Sequence, residues 1–323
     1  MHRREFLSLA TASLAAGLSS SVSAQTAAWP DKPVKLIIPY APGGASDVIA
    51  RPWAEKLSQA FGQPFVVENR GGAGGMIGTE AAAKAPPDGY TLLMTPNATL
   101  SVLPSLRQTP YDPMKSFMPI GRVGDLVTGF VVHTSLGIKT LPELIDYAKK
   151  NPGKLTYGSA GLGTATQLRI EMLKFRTGID ILHVPYRGSA DALNDLLPGN
   201  IHMMNEIVVL PHVKAGKLVL LNINSSARHP EFPDVPTLTE LGILNADVPI
   251  WYSLWAPAGT PTEITQKLHA KLDEIAKSDD MTARMRAVNV VIPQQTPQQM
   301  MQYLVEDTAR NGELIKAANI KLE

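Results

Sequence analysis

The chain has 323 residues, 7 histidines, no cysteine and a formal net charge of +1. The missing cysteines exclude disulfides and a lipid-modified cysteine anchor, and the near-neutral charge argues against nucleic-acid or anionic-membrane partners. So few histidines leave little to hold a soft metal, and we predict no metal site and no cofactor.

The first 24 residues have the pattern of a secretory signal peptide. Arg3 and Arg4 precede an apolar run at 7–18, and Ala24 ends a small-residue cleavage pattern. The paired arginines suit the twin-arginine exporter, although the Sec route stays open. The pattern predicts a soluble protein exported to the bacterial periplasm, with 1–24 removed.

The next part of the chain alternates strands and helices. Short apolar runs predict strands at 34–38, 64–68 and 90–94, and helical spacing predicts helices at 48–61 and 76–85. Strands of this kind that alternate with helices are typical of a parallel sheet with helices on both faces. We therefore predict an α/β fold.

A second alternating block lies between two extended segments, 120–133 and 249–256, which we expect to cross between domains. The helices predicted after the second crossing have no third sheet to cover, so we assign them to the first domain. The predicted domains are therefore 25–125 together with 248–323, and 126–247. The two crossing segments would form a hinge.

The stretch 39–47 joins the first predicted strand to the first helix and contains two adjacent glycines. A helix N-terminus presents free backbone N–H groups and the positive end of the helix dipole, so this turn is a candidate anion site. Ser46 and Asp47 are residue types that cap helix N-termini, and we expect them to do so here. A purely structural turn is the alternative interpretation.

Four loops that follow strands are rich in Gly, Ser, Thr and Asn: 41–47, 95–99, 159–166 and 185–189. Loops at the carboxyl ends of parallel strands lie at one edge of a sheet, where open α/β sheets bind ligands. Two loops come from each predicted domain, so they would line a cleft from both sides. Their hydrogen-bond donors, with Arg187 nearby, suit a carboxylate.

Other chemistries have weaker support. The loop 159–164 lacks the lysine of a P-loop and the spacing of a dinucleotide loop, which leaves a small-anion site or a structural turn. The chain has no Gly-x-Ser-x-Gly elbow and no metal-ligand spacing of histidines. Trp251, Tyr252 and Trp255 are interpreted as core or as one wall of a pocket, and Glu206 as a cleft or a surface carboxylate.

Several motifs stand in order along nearly the whole chain after the signal peptide. They begin with Tyr-Ala-Pro-Gly-Gly-Ala-Ser-Asp at 40–47 and Val-Glu-Asn-Arg-Gly-Gly-Ala-Gly-Gly at 67–75. They continue at 87–93, 158–161, 183–188, 210–217, 233–237 and 255–261. Together these motifs resemble the Bug family, the periplasmic solute-binding receptors of tripartite tricarboxylate transporters.

The resemblance implies a two-domain periplasmic binding protein of type II, a Venus flytrap that closes around small carboxylates and passes them to the membrane components of the transporter. It also implies that main-chain N–H groups of the first loop hold the carboxylate, with 159–164 and Tyr186 added from the second domain. Family members often have a histidine where Gln167 stands, and His202 and Glu206 also depart from the family pattern. We therefore favour a di- or aromatic carboxylate without an amino group.

The residues predicted to bind this ligand come from the four loops and their surroundings. They are Tyr40, Pro42, Gly43, Gly44, Ala45, Ser46, Asp47, Asn97, Thr99, Ser159, Ala160, Gly161, Thr164, Thr166, Tyr186, Arg187 and Glu206. We predict a monomeric receptor without enzymatic activity. Two alternatives remain open: a ligand-sensing receptor for a signalling partner, and a secreted α/β enzyme acting on a carboxylate.

Overall fold

The computed structural model describes residues 29–225, 227–244, 246 and 248–321, so the predicted signal peptide lies outside the described part. Its strands are β1 (Val34–Ile38), β2 (Phe65–Asn69), β3 (Thr91–Pro96), β4 (Phe117–Leu126), β5 (Val131–His133), β6 (Thr156–Ser159), β7 (Leu182–Pro185), β8 (Met203–Met204), β9 (Leu218–Leu220), β10 (Trp251–Pro257) and β11 (Val290–Val291). Its helices are α1 (Ala45–Phe61), α2 (Met76–Ala83), α3 (Leu103–Leu106), α4 (Leu141–Lys150), α5 (Ala165–Thr177), α6 (Ser189–Leu196), α7 (Leu210–Lys214), α8 (Thr262–Ala276), α9 (Asp279–Ala287) and α10 (Pro297–Ala317).

Two sheets organise the described residues. In the first, the strand order is β11-β4-β10-β3-β1-β2. β1 pairs in parallel with β2 and β3, whereas β10 runs antiparallel between β3 and β4. The parallel arrangement predicted from the sequence is therefore right for the first three strands and wrong for the rest of this sheet. The reason is that β10 enters from the other sheet and so runs in the opposite direction.

The second sheet has the order β7-β6-β8-β5-β9. β6 is parallel to β7 and β8, and β5 is antiparallel to β8 and β9. The chain passes to this sheet between β4 and β5 and returns ahead of β10. The first sheet thus takes strands from both ends of the described chain, and the second takes strands from its middle. The domain limits themselves, at 125/126 and 247/248, stay a prediction.

The first crossing and the segment that leaves β9 pass very close to each other. A Cβ added to Gly129 would lie 1.6 Å from Asn222 O, and Asn222 Oδ1 accepts the Phe130 N–H at 3.0 Å. A side chain at Gly129 would force the two segments apart, so this close approach requires glycine.

The buried face of α1 follows from the spacing of its apolar residues. Ile49, Trp53 and Leu57 recur at helical spacing, and all three are fully buried in the core. The Trp53 indole N–H donates to Val123 O at 3.1 Å, which gives the one polar atom of this buried side chain a partner. The apolar face predicted for this helix therefore packs on the first sheet.

The C-terminal helices cover the first sheet, as predicted, because α8 and α10 pack on β4. On α10, Met300 and Leu304 are buried in one cluster with Trp251 and Trp255. In the ranges that the structure describes, no helix combines the length and the apolar character needed to span a bilayer.

Candidate functional site

A cavity lies between the two sheets. Loops that follow β1 and β3 contribute to one side, and loops that follow β6, β7 and β8 form the other. Each of the four loops predicted from the sequence contributes to the lining. The lining residues are Tyr40, Ala41, Gly44, Ala45, Ser46, Pro96, Ala98, Ala160, Thr164, Ala165, Thr166, Ser189, Glu206, Ile250 and Tyr252.

The N-terminus of α1 forms one wall. Gly44 is the N-cap residue and no side chain caps the helix, so Ser46 and Asp47 lie in its first turn and do not cap it as predicted. The Asp47 N–H donates to Gly44 O at 3.0 Å, and the Ala45 N–H donates across the cleft to Ser189 Oγ at 3.2 Å. Two of the first-turn N–H groups are thus already used, but the positive end of the helix dipole still lies at this wall, so the wall favours an anion.

Asp47 does not line the cavity but holds the loop together. Its carboxylate accepts hydrogen bonds from the Gly43 N–H at 3.1 Å, Asn69 Nδ2 at 3.1 Å and Arg51 Nε at 2.7 Å. Burial alone would raise the pKa of Asp47, but these donors outweigh it and lower the pKa. The Gly43 N–H is therefore used within the loop.

The N-terminus of α5 forms the opposite wall. Thr164 is its N-cap, with Oγ1 accepting from the Gln167 N–H at 3.4 Å and donating to Gly161 O at 2.7 Å. Thr166 Oγ1 lies 3.0 Å from Thr164 Oγ1 and accepts from the Ala160 N–H at 3.2 Å. Two hydroxyls and the first turn of a 13-residue helix thus line the same cavity as α1.

A third helix, α6, begins beside the cavity, with Gly188 as its N-cap and Ser189 at its first position. Ser189 Oγ receives the Ala45 N–H, and a Cβ at Gly44 would lie 2.9 Å from the same oxygen. The absence of a side chain at Gly44 therefore lets the N-termini of α1 and α6 approach within hydrogen-bond distance.

Two buried tyrosines complete the side formed by the first sheet. The Tyr40 hydroxyl donates to Gly74 O at 3.0 Å, and the Tyr252 hydroxyl lies 3.2 Å from Ser46 Oγ. Burial raises the pKa of Tyr40 and of Tyr252 well above the ordinary value of a phenol. Both side chains therefore stay neutral and act as hydrogen-bonding groups.

Glu206 supplies a carboxyl group to the lining. It is 4% exposed, and its Oε2 accepts the N–H of Ile207 at 3.2 Å. Burial raises the pKa of Glu206 to about 7, against the opposing effects of that N–H and of Arg169. No lysine or arginine is among the described residues that line the cavity. An anion here would be held by hydrogen bonds and helix dipoles.

A second contact joins the two sides next to the cavity. Gly74, with φ +68°, lies so close to Leu162 that an added Cβ would be 2.1 Å from Leu162 O. A side chain at this position would be strained by the positive φ and would also push the two loops apart.

A family model described as the tripartite tricarboxylate transporter family receptor matches residues 49–320. The chain belongs to this family. It is a family of periplasmic solute-binding proteins and not of enzymes. The family, the periplasmic location and the lack of enzymatic activity predicted from the sequence are therefore confirmed.

Relatives of the receptor agree with this assignment along their whole length. BugT from Bordetella pertussis is 36% identical over 315 residues, which cover 95% of this chain and 95% of BugT. The structure of R. palustris Rpa4515 with adipate has a TM-score of 0.87 and 33% identity, covering 91% of this chain and 99% of that chain. MatC from Rhodopseudomonas palustris with bound malate has a TM-score of 0.85 and 29% identity, covering 88% and 99%. The receptor has the α/β two-sheet fold of these periplasmic binding proteins, as predicted.

The structure brings about half of the predicted binding residues of the receptor to the cavity. Those that line it are Tyr40, Gly44, Ala45, Ser46, Ala160, Thr164, Thr166 and Glu206. Their contact with a ligand stays a prediction. The predicted residues that do not line it are Pro42, Gly43, Asp47, Asn97, Thr99, Ser159, Gly161, Tyr186 and Arg187.

Several of these side chains are occupied elsewhere. The buried Asn97 amide donates to Asp307 Oδ2 at 2.7 Å, and the buried Thr99 Oγ1 lies 2.7 Å from Thr95 Oγ1. The Tyr186 hydroxyl donates to Asp195 at 2.6 Å. Arg187 is exposed to solvent. The strand-end loops thus lie at the cavity, but these polar side chains bond to other protein groups or, for Arg187, face solvent.

Ser159 and His183 form a pair with the residue types of a nucleophile and its base. Ser159 Oγ lies 2.6 Å from His183 Nε2, and the imidazole stacks on Tyr157 with ring centroids 4.6 Å apart. Ser159 is 1% exposed and does not line the cavity. Burial lowers the pKa of His183 to about 4. The pair therefore links the neighbouring strands β6 and β7, and its serine is not presented to a ligand in the cavity.

Other lining residues are absent from the sequence prediction. They are Ala41, Pro96, Ala98, Ala165, Ser189, Ile250 and Tyr252. Tyr252 agrees with one of the two interpretations of its aromatic segment, as a pocket wall. Ser189 had a signal in the sequence, because it ends the fourth strand-end loop directly after Gly188. The small and apolar residues carried none, since the prediction was built on polar side chains and on main-chain N–H groups of glycine-rich turns.

Proposed function

We propose that the receptor captures a small dicarboxylate in the cavity between the two sheets and delivers it to the membrane components of a tripartite transporter. The observation that supports this most is the convergence of helix N-termini from both sheets. α1 contributes residues 44–46 to the lining and α5 contributes residues 164–166. Rpa4515 and MatC, which share the fold, are described with adipate and malate, both dicarboxylates.

Helix N-termini can hold such a ligand without basic side chains. Each one carries the equivalent of roughly half a positive charge and offers free N–H donors. A hydrogen bond to a charged group contributes roughly 1.5–3 kcal/mol. A dicarboxylate can engage both walls, whereas an aromatic monocarboxylate, the other class favoured by the sequence, can place its charge at one.

A ligand that touches both walls would also favour closure. It stabilises the closed arrangement only through contacts that it makes there and not in the open one. The Ala45 N–H bond to Ser189 Oγ and the contact of Gly74 with Leu162 already join the same two sides. We expect a bound dicarboxylate to shift the population toward this arrangement.

Proline at the first helical position tests the N–H donors separately on each wall. Ala165→Pro removes one first-turn N–H of α5 from the lining, and Ala45→Pro removes the first-turn N–H of α1 that also donates to Ser189 Oγ. Proline is tolerated at both positions because neither N–H has a partner within its own helix. We expect each variant to stay folded and to bind adipate roughly tenfold or more weakly by titration calorimetry.

Asp279→Pro is the matched control, because Asp279 is the exposed first residue of α9 and lies outside the cavity. It should bind adipate as the parent protein does. Wild-type affinity in both folded cavity variants would contradict the main-chain site. Stabilisation of the parent protein by amines or sugars, with none by carboxylates, would contradict the ligand class.

A further inference from the structure

The cavity combines two features that oppose each other. Its walls are helix N-termini that favour an anion, yet its lining includes Glu206, which is 4% exposed. A carboxylate ligand would be placed in a cavity that already contains a carboxyl group. Two negative charges that share a buried site repel strongly.

The groups that face Glu206 do little to neutralise a charge on it. Tyr40, at the end of β1, and Tyr252, on β10, line the same cavity and are neutral phenols because burial raises their pKa. Arg169, on α5, is the cation that acts on Glu206, and its Nε donates to Val248 O at 2.6 Å. Oε2 of Glu206 accepts the Ile207 N–H. These groups do not provide a full counter-charge within the lining.

We infer that the receptor binds its dicarboxylate together with one proton, which Glu206 carries, so that Glu206 donates a hydrogen bond to the ligand. The inference rests on the proposed function, because it assumes an anionic ligand in this cavity. The proton comes from solvent and returns to solvent on release, and no covalent bond changes.

The protonation state of Glu206 is balanced near neutral pH. Burial raises its pKa to about 7 in the protein without ligand. A bound anion favours the neutral acid and raises the pKa further. When the pH lies between the pKa of Glu206 in the free receptor and its pKa in the complex, binding must take up a proton. By linkage, the affinity must then fall as the pH rises. Below about pH 6 Glu206 is already protonated and no longer contributes to the pH dependence of the affinity.

Titration calorimetry with adipate measures this proton directly. Titrations from pH 6.5 to 8.5, in two buffers with different ionisation enthalpies, give the number of protons taken up on binding. For a pKa of about 7 we expect about half a proton at pH 7 and nearly one at pH 8. The dissociation constant should rise about tenfold per pH unit above pH 7.5.

Glu206→Gln keeps the shape of the side chain and a hydrogen-bond donor but cannot titrate. We expect it to bind adipate without proton uptake, and at pH 8 about tenfold more tightly than the parent protein. Glu171→Gln is the matched control. Glu171 is a partly buried carboxylate that bonds to Tyr157 and Lys174 and does not line the cavity. Proton uptake should persist in this variant.

Each other outcome overturns the inference. Adipate binding with no proton uptake and a flat pH profile would overturn it and leave the proposed function intact. Tighter binding at higher pH, with glutamate preferred to adipate and binding lost in Glu206→Gln, would identify Glu206 as an ammonium site instead. No binding of any carboxylate from pH 6.5 to 8.5 would overturn the proposed function as well. If Glu206→Gln does not fold, the number of protons that the parent protein takes up on binding adipate tests the inference without the variant.

Discussion

Asp307 is a single buried carboxylate that ties the last helix to the cavity wall. It accepts hydrogen bonds from Asn97 Nδ2 at 2.7 Å, Ser101 Oγ at 2.7 Å and Trp251 Nε1 at 3.1 Å, and it pairs with Arg310. These donors flank the turn after β3 that contributes Pro96 and Ala98 to the lining. A residue more than two hundred positions away thus positions that turn.

Glu206 should leave a signature in stability even without ligand. Its pKa is about 7 in the folded protein, against 4.5 as a model value for the unfolded chain. The folded state therefore holds the proton more tightly. The stabilisation that this proton contributes is fully present below about pH 4.5 and is lost as the pH rises through about 7. We expect Glu206→Gln to be the more stable protein at pH 8, by on the order of 3 kcal/mol, with the difference shrinking toward pH 4.5.

Urea denaturation of both proteins at pH 4.5, 6 and 8 would measure this difference. An equal gap between the two proteins at all three values would mean that Glu206 is not held protonated by burial.

At this scale, the sequence identified residues that line the cavity better than it identified hydrogen-bond partners far along the chain. Thr164 and Thr166 were predicted from their strand-end loop, and both line the cavity. Asn97 was assigned to the ligand because it follows a strand. Its partner Asp307 lies 210 positions along the chain, and no local pattern connects the two. The direction of a polar side chain depends on such contacts, which only the fold brings together.

Among the elements, the glycine-rich loop before α2 contacts the opposite side of the cleft. Gly74 has φ +68°, and a Cβ added to it would lie 2.1 Å from Leu162 O of the opposite loop. Gly74→Ala should lower the unfolding free energy by about 1–2 kcal/mol, because L-residues are strained at this φ. It should also weaken adipate binding by tenfold or more, since the added Cβ blocks the contact between the two sides.

Gly62→Ala separates these two effects. Gly62 ends α1 with φ +67°, and nothing lies within 4 Å of an added Cβ. The backbone strain is therefore matched while the cleft is untouched. Denaturation should show a similar loss of stability in both variants, and calorimetry should show weaker binding in Gly74→Ala alone. Equal affinities in the two variants would mean that the Gly74 contact has no role in ligand capture.

The start of α1 shows why element ends were harder to predict than elements. The sequence favoured Ser46 or Asp47 as the cap, by residue type. Gly44 takes the N-cap position in extended geometry, with φ −83° and ψ −178°. Its lack of a side chain is needed for contact with Ser189, the first residue of α6, which follows β7 of the other sheet. The earlier start brings the first-turn N–H groups to the cavity, a tertiary requirement that helix propensity does not contain.

For the whole molecule, the alternation of strands and helices predicted the α/β class, and the family motifs predicted a two-domain receptor of the periplasmic binding-protein type. The sequence did not reveal that β4 and β10 run side by side and antiparallel in the first sheet. A buried strand has the same residue pattern in either direction, so its orientation follows from the path of the chain between the sheets. That path also places loops from both sheets around one cavity.

The central claim is that this cavity holds a dicarboxylate between helix N-termini of the two sheets. A crystal structure with the dicarboxylate that most raises the melting temperature tests it most directly. The account predicts one carboxylate at the first turn of α1, near Ala45, and the other at the first turn of α5, near Ala165, with Glu206 within hydrogen-bond distance of the ligand. A ligand bound elsewhere, or held by basic side chains outside this lining, would contradict it.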